Sequence, residues 1–342
     1  MRWLPDRTIA HLRRVAEWPD LADTKYRLLD ELGRGGMGTV YLAEDTVLGR
    51  RVALKVISTG AADAQTADRM LREARIIARL EHPGIVPVHD AGALPDGRIF
   101  YAMKRVEGER LDALAAKAPL PDRLRIFQRI CEAVAFAHAH GVLHRDLKPE
   151  NVMVGSFGEV LVMDWGVAKL LEAAERATRG GADSSAAETS AGTVVGTLSY
   201  MAPEQAEARA DAISPRTDVY ALGALLYYLL ARRPPFEGAA AEARTRGEAS
   251  APPIPPRRIE PSIPRPLEAV VARAMSADPA ARYDSAGDLA AEISRFLGGE
   301  PVQAYRERPW ERAARIFARY RTPILLVAAY LVMRALVILF SR

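Results

Sequence analysis

Within eight residues, His144-Arg145-Asp146-Leu147-Lys148-Pro149-Glu150-Asn151, the chain places a carboxylate, an ammonium and an amide in one loop. A carboxylate can accept the proton of an attacking hydroxyl. An ammonium can neutralise charge building on a phosphoryl oxygen, and an amide oxygen can ligand a hard cation. Asp164, in Asp164-Trp165-Gly166, follows an apolar run and offers a second acidic oxygen ligand. Mg²⁺ takes oxygen donors in octahedral geometry, so Asn151 and Asp164 suit it, with phosphates and water completing the shell.

A second group of residues is suited to phosphates. Gly33-Arg34-Gly35-Gly36-Met37-Gly38 has the G-x-G-x-x-G spacing, which dinucleotide-binding folds also use, with a helix after the glycines. Here Thr39–Leu42 alternates like a strand, so the glycines lie in a strand–strand hairpin. Such a flap can lay its N–H groups over phosphates. Val52-Ala53-Leu54-Lys55 then puts Lys55 on the next strand, within reach of the α and β phosphates of a nucleotide. An inward lysine needs a partner, and Glu73 on the following helix is the candidate.

The elements that must position these groups can be read from periodicity. Residues 1–25 read as a short amphipathic helix and a linker. Tyr26–Leu32, Thr39–Glu44, Arg51–Ile57, Ile85–Ala91 and Ile99–Lys104 read as strands, with a helix over Thr66–Leu80. From residue 106 the chain turns mainly helical: Leu120–His140, Thr217–Ala231, Leu267–Ser276 and Ser285–Leu297. Residues 171–192 have no period and read as a loop, and the proline-rich stretch 251–266 reads as irregular. The pattern predicts an α+β architecture of two lobes: a small sheet lobe with one helix over 26–105 and a larger helical lobe over 106–297.

Taken together, these motifs resemble the eukaryotic-type protein kinase family, in its bacterial Ser/Thr branch, over residues 26–297. The resemblance implies a two-lobed fold with ATP in the cleft, Mg²⁺ as cofactor and Ser/Thr hydroxyls of proteins as acceptors. It implies that Gly33, Gly35 and Gly38 cover the phosphates, with Leu32, Arg34, Gly36, Met37, Val40, Ala53, Met103, Val106 and Met153 lining the nucleotide site. Lys55 would hold the α/β phosphates and pair with Glu73. Asp146 would be the base and Lys148 the γ-phosphate neutraliser, while Asn151 and Asp164 hold the metal. Thr197 in Gly196-Thr197, with Met201-Ala202-Pro203-Glu204, resembles the end of an activation segment. Asp218 resembles the aspartate that braces the catalytic loop, and Arg282 the arginine that pairs with Glu204. Arg145 before Asp146 marks kinases switched by phosphorylation in that segment. Thr193 is the first candidate site and Thr189 the second, with another copy of the chain as the partner for phosphorylation in trans.

Two positions depart from the family pattern. Trp165 stands where the family usually has Phe, which bears on the on/off equilibrium of the segment. Lys104 and Arg105 occupy hinge positions often held by an acid and an aromatic, and their side chains are expected to face outward. Two other readings are weaker. A scaffold without catalysis usually lacks the equivalents of Lys55, Asp146 or Asp164, and a small-molecule phosphotransferase generally lacks the Gly-Thr…Ala-Pro-Glu segment. His138 and His140, two apart on a helix, point to different faces and do not make a joint metal site.

Composition bounds the rest. The hydrophobic share of 49% and charged share of 26% fit a globular chain. The net charge of +4 is too small to argue for a nucleic-acid partner. The single cysteine, Cys131, rules out an intrachain disulfide and suits a reducing compartment. Only six of the 47 basic residues are lysine, and Lys55, Lys148 and Lys169 fall in or beside the motifs, where a compact ammonium is wanted. Residues 298–323 form a basic segment with six arginines between Arg306 and Arg321. Residues 324–340 are an apolar run broken only by Arg334, at the short end for a membrane span. The run is expected to be a single transmembrane helix, with a docked hydrophobic helix as the alternative. The positive flank then predicts an inner-membrane protein with its kinase lobes in the cytoplasm.

Overall fold

The computed structural model describes residues 18–35, 38–57, 71, 74–165, 198–207, 209–238, 240, 243 and 252–340. The first lobe is a five-stranded antiparallel sheet: β1 (Tyr26–Gly35), β2 (Gly38–Asp45), β3 (Arg50–Ile57), β4 (Val88–Ala93) and β5 (Ile99–Lys104), in the order β1-β2-β3-β5-β4. β3 is buried from Val52 to Ile57: it lies mid-sheet with apolar layers on both faces, which explains its nearly unbroken apolar run around Lys55. One layer joins Tyr26, Tyr41, Leu54 and Phe100, and Leu21 and Trp18 pack onto it from ahead of β1. The other joins Ala53, Ile99, Tyr101 and Met103 and faces the second lobe.

The strand expected over Ile85–Ala91 is displaced: β4 begins at Val88. Ile85 is fully buried and instead makes a lone parallel bridge to Val162. Its apolar character serves lobe packing and not the ladder. Of the helix expected over Thr66–Leu80, residues 71 and 74–78 are helical among those described, and Glu73 lies outside the described residues.

The second lobe is built around the helix Pro215–Ala231, buried on every face from Thr217 through Leu226. Helices Leu120–Ala139, Arg265–Ala274 and Ala286–Leu297 pack against it. Gly223 permits this approach, because a Cβ there would stand 2.7 Å from that of Ala274. Each helix starts where its sequence dictates. Pro215 opens the central helix, where the missing N–H costs nothing, and Ser285 caps the last of the four through Asp288 N at 3.1 Å. The proline-rich stretch is less irregular than expected, since Pro256 opens a short helix to Ile259 by the same rule. A small sheet, β6 (Gly108–Arg110), β7 (Val152–Gly155) and β8 (Val160–Val162), joins the hinge to the loops bearing Asp146 and Asp164.

A C-terminal helix, Pro309–Phe340, continues through the basic segment into the apolar run. Its foot is tied to the second lobe. Buried Glu292 accepts from Gln303 N and Ala304 N at 3.0 Å, and Arg265 donates to Glu311 at 3.3 Å. The expected transmembrane helix is not found: among the described residues no helix is long and apolar enough to cross a membrane. The run from 324 to 340 is short, Arg334 interrupts it, and the preceding turns carry Arg312 and Arg315. Leu325, Leu326, Val327, Leu331, Met333 and Val337 are all exposed, so these described side chains of the run are not docked on the lobe.

Candidate functional site

The eight-residue loop is held by its backbone. Asp218, 1% exposed at the start of the central helix, accepts from His144 N and Arg145 N at 2.8 Å each and bonds His138 Nε2 at 2.8 Å. Burial pushes the Asp218 carboxyl up, but His138, His144 and these backbone donors outweigh it and hold it below its ordinary value. The brace fixes Arg145 in the left-handed region at φ 64°, a conformation a non-glycine residue adopts only when its surroundings impose it. Gln205 Nε2 donates to Arg145 O at 2.9 Å, linking the loop to the Ala-Pro-Glu segment.

Inside the loop, Asp146 is 8% exposed. Lys148 Nζ lies 3.2 Å from its Oδ2, and Asn151 Nδ2 donates to its backbone oxygen at 2.8 Å and to Oδ2 at 3.2 Å. With the amide nitrogen so committed, the carbonyl oxygen of Asn151 is its atom for a cation. His144 is buried and contacts Trp165 at 4.7 Å between ring centroids, and burial holds its pKa below the usual value. The neutral ring has a settled tautomer: Nδ1 accepts from Asp146 N at 3.2 Å and Nε2 donates to Met163 O at 2.9 Å. The residues on either side of Asp146 and Asp164 are thus joined.

Asp164 also lies in the left-handed region, at φ 54°. Its Oδ1 is 2.6 Å from Lys55 Nζ. Burial lowers the pKa of Lys55, but Tyr101 and Asp164 more than offset this, and the ammonium stays charged. Tyr101 is Lys55's direct cross-strand partner, and burial, foremost, pushes its hydroxyl up to about 12. Trp165, 3% exposed, donates its indole N–H to Val162 O at 3.3 Å.

Over this cluster lies the β1–β2 hairpin, with Gly35 opposite Gly38 and Gly33 and Arg34 in the preceding strand. Gly38 has φ 145°, and a Cβ there would meet Val56 O at 2.2 Å, so only glycine fits. Val40, Ala53, Met103 and Val106 fall into one apolar layer, and Leu32 is exposed at its rim. Met153, half-buried on β7, is not in that layer. Met163, beside Asp164, packs against that layer. Sequence reasoning missed Tyr101: the alternation of β5 puts it on the face of Met103, and the β3–β5 register puts it opposite Lys55. Lys104 is exposed, and Arg105 turns outward to Glu107 at 3.0 Å. Gly36, Met37, Glu73, Thr189, Thr193, Gly196 and Thr197 lie outside the described residues.

Below the loop, buried Glu204 meets Arg282 in a two-pronged pair at 2.7 and 2.9 Å, and Thr217 Oγ1 donates to the same carboxylate at 2.9 Å.

Residues 26–291 match the model of the protein kinase domain. The chain is 37% identical over 297 residues to the serine/threonine-protein kinase PknB of Mycobacterium leprae, covering 84% of this chain and 45% of that protein. It is 40% identical over 269 residues to PknH of Mycobacterium bovis, covering 78% and 43%. The chain therefore spans less than half the length of these curated relatives. Among solved structures it is similar to the Mycobacterium tuberculosis PknI kinase domain, at 30% identity and TM-score 0.60, covering 79% of this chain and 96% of that one.

Proposed function

The chain belongs to the protein kinase family, and from that premise we propose that it transfers the γ-phosphate of ATP to Ser and Thr hydroxyls of proteins. The observation that carries this reading is the convergence of Asp146, Lys148 and Asn151 in one braced loop, joined through His144 and Met163 to the Lys55–Asp164 pair. Asp146 orients the acceptor hydroxyl and takes its proton. Lys148, at the same carboxylate, neutralises charge on the transferring phosphoryl group. Lys55 holds the α and β phosphates beneath the glycine hairpin. The donor set fits Mg²⁺: Asn151 and Asp164 offer hard oxygens on backbone segments joined by Met163 N donating to Asn151 O at 2.8 Å, and bound metal would neutralise phosphate charge there. Asp164 would then exchange its bond to Lys55 for the metal.

Autophosphorylation is part of the reading, with Thr193 first and Thr189 second. Mass spectrometry of the chain incubated with Mg·ATP should find phosphate on one of these residues. Modification at neither removes this part of the proposal.

A cytoplasmic-membrane location, with the kinase lobes in the cytoplasm, is proposed on the exposed apolar residues of the terminal helix and the arginines before them. Deleting residues 324–342 should move the chain from the membrane to the soluble fraction with its kinase activity retained. A full-length chain already soluble and monomeric without detergent contradicts it.

A further inference from the structure

We propose that Tyr101 is a positioning residue for nucleotide binding: its hydroxyl backs the Lys55 ammonium and aims it at the phosphates. The inference rests on the ATP-site reading above. Lys55 and Tyr101 face each other across β3 and β5, so their side chains leave the sheet on the same side. Lys55 Nζ lies 5.9 Å from the Tyr101 ring centroid, and the Tyr101 hydroxyl acts on both the Lys55 ammonium and the Asp164 carboxylate. The ring is 8% exposed and shares one cavity wall with Ala74, Ile77, Val86, Met103 and Asp164. All of these but Asp164 are apolar, so among the described residues the hydroxyl's charged neighbours are Lys55 and Asp164.

An ammonium has three donors. At Lys55, Asp164 takes one at 2.6 Å, and the Tyr101 hydroxyl is the other polar group acting on the ammonium among the described residues. When Asp164 turns away to a metal, Tyr101 still supplies an acceptor behind the ammonium. A hydroxyl in this place can accept from Lys55 and donate to Asp164 at once, so it keeps contact with both groups while their mutual pair opens. Phenylalanine would fill the same volume and provide neither contact.

The test is Tyr101→Phe, with Tyr227→Phe as control. Tyr227 donates its hydroxyl to Ile254 O at 2.7 Å, in the second lobe and away from the cleft. ADP binding is measured by calorimetry in EDTA, so that neither metal nor turnover enters, alongside thermal unfolding and the ATP KM. Tyr101→Phe should weaken ADP binding and raise the ATP KM by about tenfold, the size expected for a hydrogen bond to a charged group. Its melting temperature should stay within about 2 °C of the parent. Tyr227→Phe should lower the melting temperature and leave ADP affinity unchanged. If Tyr101→Phe binds ADP as the parent does, the positioning role is overturned and the ATP-site reading stands. If the parent chain does not bind ADP, both fail.

Discussion

Replacing Asp146 by asparagine should lower the rate of phosphotransfer by about 10²- to 10⁴-fold, the usual contribution of a positioned acid–base group. Asparagine keeps the volume and one oxygen acceptor, but it cannot take the hydroxyl proton. The loop should survive the change. Its backbone is fixed by Asp218 at 2.8 Å and by Asn151 donating to the residue-146 carbonyl at 2.8 Å, and neither bond uses the altered carboxylate. ADP affinity and the melting temperature should therefore stay near those of the parent. Steady-state phosphorylation of a basic protein checks the rate, and calorimetry checks the binding. A variant with parental activity would remove Asp146 from the reaction.

Replacing Arg282 by methionine should cost about 3–5 kcal/mol of stability, because Glu204 is left charged and buried without its partner. Both side chains have no solvent exposure, and Arg282 also donates to Ser276 O, Ala277 O and Arg216 O. For a domain of this size the loss corresponds to a melting temperature lower by on the order of 10 °C. Replacing Glu204 by leucine in the same chain should recover part of it, since the uncompensated charge is then gone. The pH dependence follows from the same pair. Burial pushes the Glu204 carboxyl up, but Arg282 outweighs it and holds the folded value below the ordinary one. Its stabilisation is fully present above the ordinary carboxylate range and is lost as pH falls through the folded value. Arg282→Met should lack that part of the acid-induced loss. A destabilisation under about 1 kcal/mol by denaturant titration would mean the pair is not the strut its burial implies.

The groups that act over short spans were legible in the sequence. Lys55 sits mid-strand in an apolar run, and Asp146, Lys148 and Asn151 share one loop, so their spacing alone brings them together. The glycine hairpin was legible because strand alternation resumes at Thr39 and excludes a helix. What escaped depends on long-range packing. His138 was weighed only as a metal ligand, yet it bonds Asp218, which lies 80 residues further along the chain. Ile85 looks like a strand residue and serves as lobe packing, because an apolar residue satisfies either role. Tyr101 carries no motif, and its place opposite Lys55 follows only from the β3–β5 register. The left-handed backbone of Arg145 and Asp164 has no local signal, since it is imposed by the Asp218 brace and by the Lys55 and Trp165 contacts.

The central claim is tested most directly by incubating the purified chain with γ-labelled ATP, Mg²⁺ and a generic basic protein, then hydrolysing the product to its phosphoamino acids. Label should appear in phosphoserine and phosphothreonine with the parent chain and be almost absent with Asp146→Asn. Label confined to phosphotyrosine, or no transfer by the parent chain, would contradict it.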